Sequence, residues 1–337
     1  MIKKYNKLVV VPPSFEILPD TLGLAERIEL TGRVCYKSED KITPESAGGF
    51  CLGMTNHKHN SVLEMGVRTY LVKANLLEHL LSVFVSIPKY LVIDDLGNEE
   101  WLITGSVRAF REMLMKMPES KVFRSISFDM SMDHPYFFED IASLLPENKP
   151  EGINCQQVSL EDIDRLTPDL QARHRHVAVK FIVNRAVTHE IVRHRPCAFL
   201  QESQRYCRYG SGKFGDRVTF IKPMFFEEAS RGYQLWEKAM LETEGIYLEL
   251  INEKDEKGKS KYTAQAARTV LPNSCKTELF VYASLEQWHH ILHMRTGKPA
   301  EPSMREVMIP LQEEFKKRFP EQQFGSPLRM PEGWVNK

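Results

Sequence analysis

The clearest alternation of apolar and polar positions lies past the middle of the chain, in the stretch VAVKFIV. Val177, Val179, Phe181 and Val183 recur there at every second position. This period is typical of a β-strand, in which successive side chains point to opposite faces of a sheet. We therefore predict a strand over residues 177–183.

The residues that follow this strand, RAVTHEIVRHR, change to a helical period. Val187, Glu190, Ile191 and His194 recur at the spacing of one helical face. Pro196 should end this helix, because the residue before a proline avoids the helical region of the backbone. The pattern therefore predicts a strand that leads directly into a helix.

Two segments far apart in the chain share one pattern, LITGSVRAFREML (102–114) and FVYASLEQWHHIL (280–292). In each, a short apolar strand leads to a serine, Ser106 or Ser284, that is placed to cap a helix. Gln287 lies three residues after Ser284, as in a capping box. We predict a mixed α/β fold (α+β) with a central sheet, covering helices and two related strand–helix halves. Chance similarity of two amphipathic helices is the alternative.

The length of the chain, 337 residues, allows one large domain or two small ones. We expect a single domain over residues 1–337. Residues 118–172 are only weakly periodic, and we interpret them as an insertion or a cap.

The charge balance excludes a strong overall field, since Lys plus Arg and Asp plus Glu both number 45. We therefore expect neither nucleic acid nor a membrane among the partners. No apolar stretch approaches the roughly 20 residues that span a bilayer. The six cysteines include no CxxC pair, which fits free thiols in a reducing compartment. The expected location is cytoplasmic.

Two motifs have less specific explanations. GSGKFG matches G-x-G-x-x-G at Gly210, Gly212 and Gly215, but a strand-like stretch with a proline follows it. A dinucleotide-binding loop needs a helix there, so we interpret the motif as a flexible turn. His289 and His293 lie one helical turn apart without a nearby acidic or thiol ligand, and we expect no metal site.

A thiol nucleophile is a further possibility that the sequence disfavours. Cys197 and Cys207 flank an arginine-rich stretch, and neighbouring arginines lower the pKa of a thiol. Cys197, however, stands between Pro196 and an apolar run that starts at Ala198. We therefore expect a buried and inert thiol at position 197.

The stretch VRHRPCAFLQESQRY concentrates guanidinium groups in a chain with no net charge. Arg193, Arg195 and Arg205 lie close in sequence to Gln201 and Ser203. The negative end of the preceding helix accounts for one or two of these cations. The remaining arginines indicate a local pocket for an anion.

This stretch also resembles the signature of the flavin-dependent thymidylate synthases, in which Arg-His-Arg is followed, after seven residues, by Ser-x-Arg-Tyr. The matching residues are Arg193, His194, Arg195, Ser203, Arg205 and Tyr206. The earlier Arg-His-Arg at 173–175 has Val183 in place of the serine. Further segments that resemble the family are VCYKSED (34–40), HNSVLE (59–64), AARTVLPNSCKTEL (266–279) and SLEQWHHILHMRTGKPAEPSMRE (284–306).

The resemblance implies an α/β fold that assembles into a homotetramer with active sites shared between subunits. It implies FAD as cofactor, deoxyuridylate (dUMP) as substrate, methylenetetrahydrofolate as carbon donor and NADPH as reductant. The implied reaction is the reductive methylation of dUMP to dTMP. A related enzyme that modifies dUMP differently, for instance by hydroxymethylation, and a non-catalytic nucleotide-binding protein are the alternatives.

The resemblance also implies roles for individual residues. Flavin contacts are implied for Ser61, Arg193, His194, Arg195, Gln201, Ser284, Glu286 and His290. Nucleotide contacts are implied for Glu190, Arg193, Gln201, Glu202, Ser203, Gln204, Arg205, Arg268 and Arg295. Arg295 corresponds to the arginine that polarises the uracil ring, and it is the expected catalytic residue.

The chain departs from the family pattern mainly on the flavin side. Ser284 and Glu286 stand where the family usually has Asn and Arg, and Met65 replaces a histidine. A carboxylate at position 286 puts a negative charge where a cation normally faces the flavin. We hypothesise that Arg108, at the matching position of the other strand–helix segment, compensates.

Overall fold

The structure, a computed structural model, describes residues 7–74, 91–210 and 215–325. Helices and strands are interspersed along these residues, which confirms the predicted mixed α/β class. The α-helices are α1 (Leu24–Val34), α2 (Ser46–Asn56), α3 (Val107–Lys116), α4 (Lys121–Asp133), α5 (Leu160–Asp164), α6 (Pro168–His174), α7 (Arg185–Ile191), α8 (Arg231–Asn252), α9 (Ala264–Ala267), α10 (Leu285–Thr296) and α11 (Pro302–Arg318). The β-strands are β1 (Val9–Val11), β2 (Ser14–Ile17), β3 (Val67–Lys73), β4 (Leu91–Gly97), β5 (Glu100–Ser106), β6 (Asn154–Gln157), β7 (His176–Asn184), β8 (Ala198–Gln201), β9 (Thr219–Ile221) and β10 (Lys276–Ser284).

The strand predicted at 177–183 is confirmed as β7, which pairs antiparallel with β10 along its whole length. The alternating side chains of Val177, Val179, Phe181 and Val183 are buried together with apolar residues of α10 and α11. One face of this strand therefore packs against helices, which explains the period of two.

The helix predicted after this strand is present as α7, but it is shorter than the pattern indicated. It ends at Ile191, before the Arg-His-Arg sequence. The amides of Arg193 and His194 donate to the carbonyls of Glu190 and Ile191, three residues back. These tighter bonds turn the chain before it reaches Pro196, so the prediction that Pro196 ends the helix is wrong.

Two four-stranded sheets organise the described residues. Their strand orders are β4–β5–β3–β6 and β2–β7–β10–β8, and every neighbouring pair in them is antiparallel. A short parallel pair joins β1 to β9. One face of the second sheet has its own apolar cluster. Its remaining buried apolar residues belong to the cluster of the first sheet: Ala178, Ala198, Leu200, Phe280 and Tyr282.

The two segments predicted as a strand–helix repeat, 102–114 and 280–292, also have matching structures. Ser106 accepts a hydrogen bond from Ala109 N at the start of α3, and Ser284 does the same for Gln287 N at the start of α10. The residue after each serine donates to the residue before the partner strand, Val107 to Gly66 (2.8 Å) and Leu285 to Arg175 (2.9 Å).

The edge strands of the two sheets repeat with the same register. β6 pairs with β3 as β2 pairs with β7, and β4 pairs with β5 as β8 pairs with β10. We call residues 14–133 unit 1 and residues 154–318 unit 2. Each unit then begins with a strand, a helical region and the first central strand of its sheet.

The two units exchange their first strands. β2 opens unit 1 but lies at the edge of the sheet of unit 2, beside β7. β6 opens unit 2 but lies at the edge of the sheet of unit 1, beside β3. Each sheet is therefore completed by a strand from the other unit.

Residues 118–172 contribute to the core of the first sheet. They include α4 and β6, and Phe123, Ile126, Met130 and Phe138 among them are buried in its apolar cluster. The single domain, and the description of this segment as an insertion or a cap, stay predictions.

Two further predictions from the sequence concern the G-x-G-x-x-G match and membrane-spanning segments. Residues 211–214 of the G-x-G-x-x-G match lie outside the described residues, so the predicted turn is not described there. In the described part of the chain, no helix is both long and apolar enough to cross a membrane.

Candidate functional site

Arg295 is the centre of a polar cluster that joins α10 to the end of α7. Its Nη1 donates to Glu190 Oε2 (2.7 Å), its Nη2 to the Glu190 carbonyl (3.2 Å) and its Nε to His194 Nε2 (2.8 Å). The ring of His290 lies 5.6 Å from the ring of His194. The structure thus brings together four residues that the sequence analysis named. Glu190 and His194 lie about a hundred positions before His290 and Arg295 in the chain.

His194 is held as a neutral acceptor in this cluster. Its burial, together with the charge of Arg295 and its neighbour His290, lowers its pKa to about 4. Because Nε2 accepts from Arg295, the proton of the neutral ring is on Nδ1. The guanidinium of Arg295 is therefore fixed from two sides, by a carboxylate and by an imidazole.

The strand β8 places Gln201 next to this cluster. Its Nε2 donates to the hydroxyls of Thr188, on α7 (3.0 Å), and Thr277, on β10 (3.2 Å). The hydroxyl of Thr188 already donates to the Arg185 carbonyl (2.9 Å). It can therefore only accept from Gln201, which directs the amide nitrogen towards it. The sequence analysis did not identify either threonine, and a lone threonine in a strand or a helix carries no signal for such a role.

Glu202 lies beneath the loop rather than at its surface. The carboxylate is buried and accepts from Tyr209 Oη (2.8 Å) and Lys276 Nζ (3.0 Å). Burial and the carboxylate of Glu202 raise the pKa of Tyr209 well above its usual value, so this hydroxyl stays a donor. These contacts make Glu202 an internal support of the loop, and its predicted contact with the nucleotide stays a prediction.

A second carboxylate links the same region to the N-terminal part of the chain. Glu278 on β10 pairs with Lys37, Lys180 and Lys276. Burial acts to raise the pKa of Glu278, but the charges of Lys276 and Lys37 outweigh burial and hold the pKa well below the usual range. The sequence analysis placed Lys37 in a family-like segment (34–40) but gave it no role, since it lies more than 150 residues from the loop that it supports.

Ser203 and Arg205 form an exposed turn after β8. Ser203 Oγ accepts from Arg205 N (3.3 Å), and Arg205 Nε donates to Gln265 Oε1 (3.3 Å) on α9. Arg268 follows α9 directly, in a short 3-10 turn, Arg268–Val270. The turn therefore lies beside α9, and Arg205 in the turn and Arg268 after α9 are both residues for which the resemblance implied a nucleotide contact.

Arg193 and Arg195 are both exposed, on either side of the buried His194. Arg195 Nη1 donates to the His194 carbonyl (2.8 Å), and its guanidinium lies 5.4 Å from the centre of the Phe199 ring. Exposed guanidinium groups are suited to binding phosphate oxygens in pairs of hydrogen bonds.

The predicted flavin loop of unit 1 approaches this arginine pair. Ser61 is exposed and precedes a short 3-10 helix, Val62–Met65. Glu64 of that helix accepts from Arg108 Nη1 (2.5 Å). Burial raises the pKa of Glu64, while the charges of Arg108 and Arg195 act to lower it. The 3-10 helix Val62–Met65 packs against β8, the strand that follows the arginine pair.

Ser284 and Glu286 are placed at the other end of α10. Ser284 caps the helix, and Glu286 is exposed in its first turn. Nine residues separate Glu286 from Arg295, which is about 14 Å along a helix axis. The structure therefore brings His290 to the Arg295 cluster and leaves Ser284 and Glu286 away from it.

The two cysteines that flank the arginine-rich stretch, Cys197 and Cys207, lie inside the protein. The thiol of Cys197 is buried, and burial raises its pKa to about 12, as it does for Cys207. All six cysteines are free. The prediction that Cys197 is buried is confirmed, and its inertness stays a prediction.

Two cavities of about 360 Å³ each lie outside the Arg295 cluster. One lies between the units and is lined by residues that include Arg27, Arg68, His176 and Tyr282. The other lies behind the loop, beside Lys37, Glu202, Tyr209 and Lys276. The first has mixed polar and apolar walls. The second is lined by polar residues, and its charged groups are largely paired with one another.

Two buried polar atoms near the predicted ligand residues have no hydrogen-bond partner among the described residues. They are Nε2 of Gln204, next to Ser203, and Oδ1 of Asn60, next to Ser61. Unpaired buried polar atoms are rare in folded proteins. One donor is thus left beside Ser203 and one acceptor beside Ser61.

Comparison with known proteins identifies the part of the chain that carries these residues. Residues 167–321 match the family model described as thymidylate synthase complementing protein. A flavin-dependent thymidylate synthase of Corynebacterium efficiens is 32% identical over 146 residues, which are 41% of this chain and 56% of that protein.

Two other relatives carry the same name. The protein of Corynebacterium glutamicum is 32% identical over 135 residues, which are 38% of this chain and 52% of that protein. The protein of Pyrococcus furiosus is 29% identical over 171 residues, which are 48% of this chain and 66% of that protein. The chain thus spans between half and two thirds of the length of these relatives.

The resemblance that the arginine motif indicated is thereby confirmed. The matched range contains Glu190, the Arg193–Arg195 triplet, the turn at Ser203 and Arg295. It excludes Ser61, Glu64 and Arg108, which come from unit 1. Residues 167–321, less than half of the chain, are therefore the part that is similar to the thymidylate synthase complementing protein family.

Proposed function

We propose that the protein is a flavin-dependent thymidylate synthase, which converts dUMP to dTMP by reductive methylation. The proposed carbon donor is methylenetetrahydrofolate, and the proposed reductant is NADPH, which acts through bound FAD. The observation that carries the proposal is the fixed guanidinium of Arg295, in contact with Glu190 and His194 and close to the exposed arginines of the signature motif.

Arg295 retains donors for a ligand after its contacts with the protein are counted. A guanidinium has five N–H groups, and three are used by Glu190 and His194. The remaining N–H groups can donate to a uracil carbonyl and stabilise negative charge that develops on the ring. Because Glu190 and His194 fix the guanidinium beforehand, little reorganisation is needed when that charge forms.

The phosphate of the nucleotide suits the turn at Ser203. The hydroxyl of Ser203, the guanidinium of Arg205 and the nearby Arg268 supply donors for a dianion. Gln204 Nε2, which is buried without a partner among the described residues, supplies one more. These contacts, like the flavin contacts of Ser61, Arg193, Arg195, Ser284, Glu286 and His290, belong to the proposal.

The flavin, when bound, supplies the reducing equivalents for methylation, and the thiols of the chain have no part in the reaction. The proposal that the thiols take no part is supported by Cys197 and Cys207, because burial raises the pKa of both to about 12. We further propose a cytoplasmic enzyme that folds as a single domain and assembles into a homotetramer. Sedimentation velocity of the purified protein tests the assembly.

The reaction is tested by incubating the protein with dUMP, FAD, methylenetetrahydrofolate and NADPH and measuring the mass of the nucleotide. We expect a product that is heavier by one methylene unit. A product heavier by a hydroxymethyl group would identify the related dUMP-modifying reaction instead. Unmodified nucleotide, from folded protein that has bound FAD, would refute the proposed synthase.

A further inference from the structure

The cavity between the units, named the interunit cavity from here on, lies where the two exchanged strands end. Just after β2, Leu18 N donates to the Ala178 carbonyl, and just after β6, Val158 N donates to the Thr69 carbonyl (2.9 Å each). The chain then leads into α1 or α5. Both connections line the cavity, together with the first residues of β3 and β7. Its wall therefore comes from both units.

Arginine outnumbers acidic residues in this wall by three to one. Arg27, Arg68 and Arg175 line the cavity, and Asp20 is the acidic residue among the described lining residues. The carboxylate of Asp20 is already shared by the guanidinium groups of Arg175 (2.6 Å) and Arg318. The charges of Arg27 and Arg68 therefore have to be balanced by other groups.

The guanidinium of Arg27, on α1, is held by partners without charge. Its Nη1 donates to Tyr282 Oη (2.9 Å) and its Nη2 to the Leu22 carbonyl (3.2 Å). These two bonds use two of the five N–H groups of a guanidinium. The hydroxyl of Tyr282 accepts from Arg27 and has a hydrogen of its own to donate. Arg27 and Tyr282 thus offer donors to the cavity, and their contact brings no negative charge.

The guanidinium of Arg68, on β3, is buried and only weakly compensated. Its Nη2 donates to His134 Nε2 (2.8 Å), which must be unprotonated to accept, and lies 3.4 Å from Asp133 Oδ2. The side chain of Asp133 is 63% exposed, whereas that of Arg68 is 11% exposed. Water screens such a long, half-exposed pair, while the burial of the cation carries a cost in free energy.

The interunit cavity has room for a small organic molecule. Its volume is about 360 Å³, and ligand sites in proteins typically have about 300–1,000 Å³. Apolar side chains line it as well, among them Leu24, Val67, Leu160 and Ile163. A wall of this kind suits a ligand with a charged group at one end and a short carbon skeleton at the other.

We propose that the interunit cavity binds a small organic oxyanion, a carboxylate or a phosphate ester, whose charged group is held by Arg27, Arg68 and the hydroxyl of Tyr282. The anion balances two guanidinium groups that the carboxylate of Asp20 does not serve. Arg27 and Arg68 belong to unit 1 and Tyr282 to unit 2, so a bound anion links the units. The site shares no residue with the Arg295 cluster.

The test is isothermal titration calorimetry of the full-length protein with butyrate and, separately, with glycerol 3-phosphate, both at constant ionic strength. We expect saturable binding of one anion per chain for at least one probe, and the tighter probe tells a carboxylate site from a phosphate site. Arg27→Gln should bind that probe about tenfold more weakly, the scale of one lost charge-assisted hydrogen bond. Leu22→Trp, which fills the cavity without changing its charge, should abolish the binding.

The matched control is Arg205→Gln, because the exposed turn at Ser203 also attracts anions. This variant should keep the wild-type affinity for the probe. Thermal melts establish that each variant is folded, and Arg68→Gln replaces Arg27→Gln if the latter is not. No saturable binding to the wild type, wild-type affinity in the cavity variants, or loss of binding in Arg205→Gln would each overturn the proposed site.

Discussion

Protonation of His194 should weaken the fold between pH 6.5 and pH 4. The imidazole is buried beside Arg295 and His290, which lowers its pKa from 6.5 to about 4. Below pH 6.5 the imidazole of His194 is protonated in the unfolded chain but stays neutral in the folded chain. The free energy of unfolding therefore falls as the pH falls. The difference of about 2.5 pKa units corresponds to about 3 kcal/mol in total, all of it present above pH 6.5 and lost near pH 4.

The perturbation is the substitution His194→Gln, whose side-chain oxygen can still accept from Arg295. Urea unfolding of wild type and variant, followed by tryptophan fluorescence at several pH values from 7 to 4, gives the free energy of unfolding of each. Other titrating groups, including His176 with its pKa of about 4, contribute equally to both proteins and cancel. The difference in free energy of unfolding should shift by about 3 kcal/mol in favour of the variant on acidification. A difference that stays constant over this range would refute the account of His194.

Three other predictions follow from single contacts. Glu190→Gln should weaken dUMP binding about fivefold in a calorimetric titration, because a charge-assisted bond to Arg295 becomes neutral; unchanged affinity would contradict it. Ser106→Ala should lower the free energy of unfolding in urea by about 1 kcal/mol through loss of the cap of α3, and a stability equal to wild type would exclude that capping role. In the native protein Cys197 should react slowly with a thiol reagent, since it is buried with a pKa of about 12. Fast labelling at that position, detected by peptide mass, would contradict this.

The local features of the fold could be predicted from the sequence because they depend on neighbouring residues. The strand at 177–183 has an alternating pattern imposed by one buried face, and the caps at Ser106 and Ser284 depend on a few residues each. The end of α7 was mispredicted, because tighter turn bonds at Arg193 outweighed the proline signal.

The long-range contacts of the fold could not be predicted from the sequence, for a physical reason. The pairing of β2 with β7 joins strands more than 150 residues apart, and short strands carry little information about their partners. Likewise the resemblance gave roles to Arg195 and Arg295 but none to Tyr36 or Lys37, which follow α1 and contact the loop. Such side chains have ordinary sequence neighbours, and only the folded chain brings them to the site.

The exchange of first strands has a consequence for any attempt to divide the protein. A cut in the loop at 144–152 gives an N-terminal fragment that carries β2 but lacks β6, and a C-terminal fragment that carries β6 but lacks β2. Alone, each fragment exposes the unpaired edge of a central strand, which promotes aggregation. Together, each supplies the missing edge of the other. The two fragments should behave as an obligate pair that is soluble only when co-expressed, and the family-matching half should not be separable as an independent enzyme.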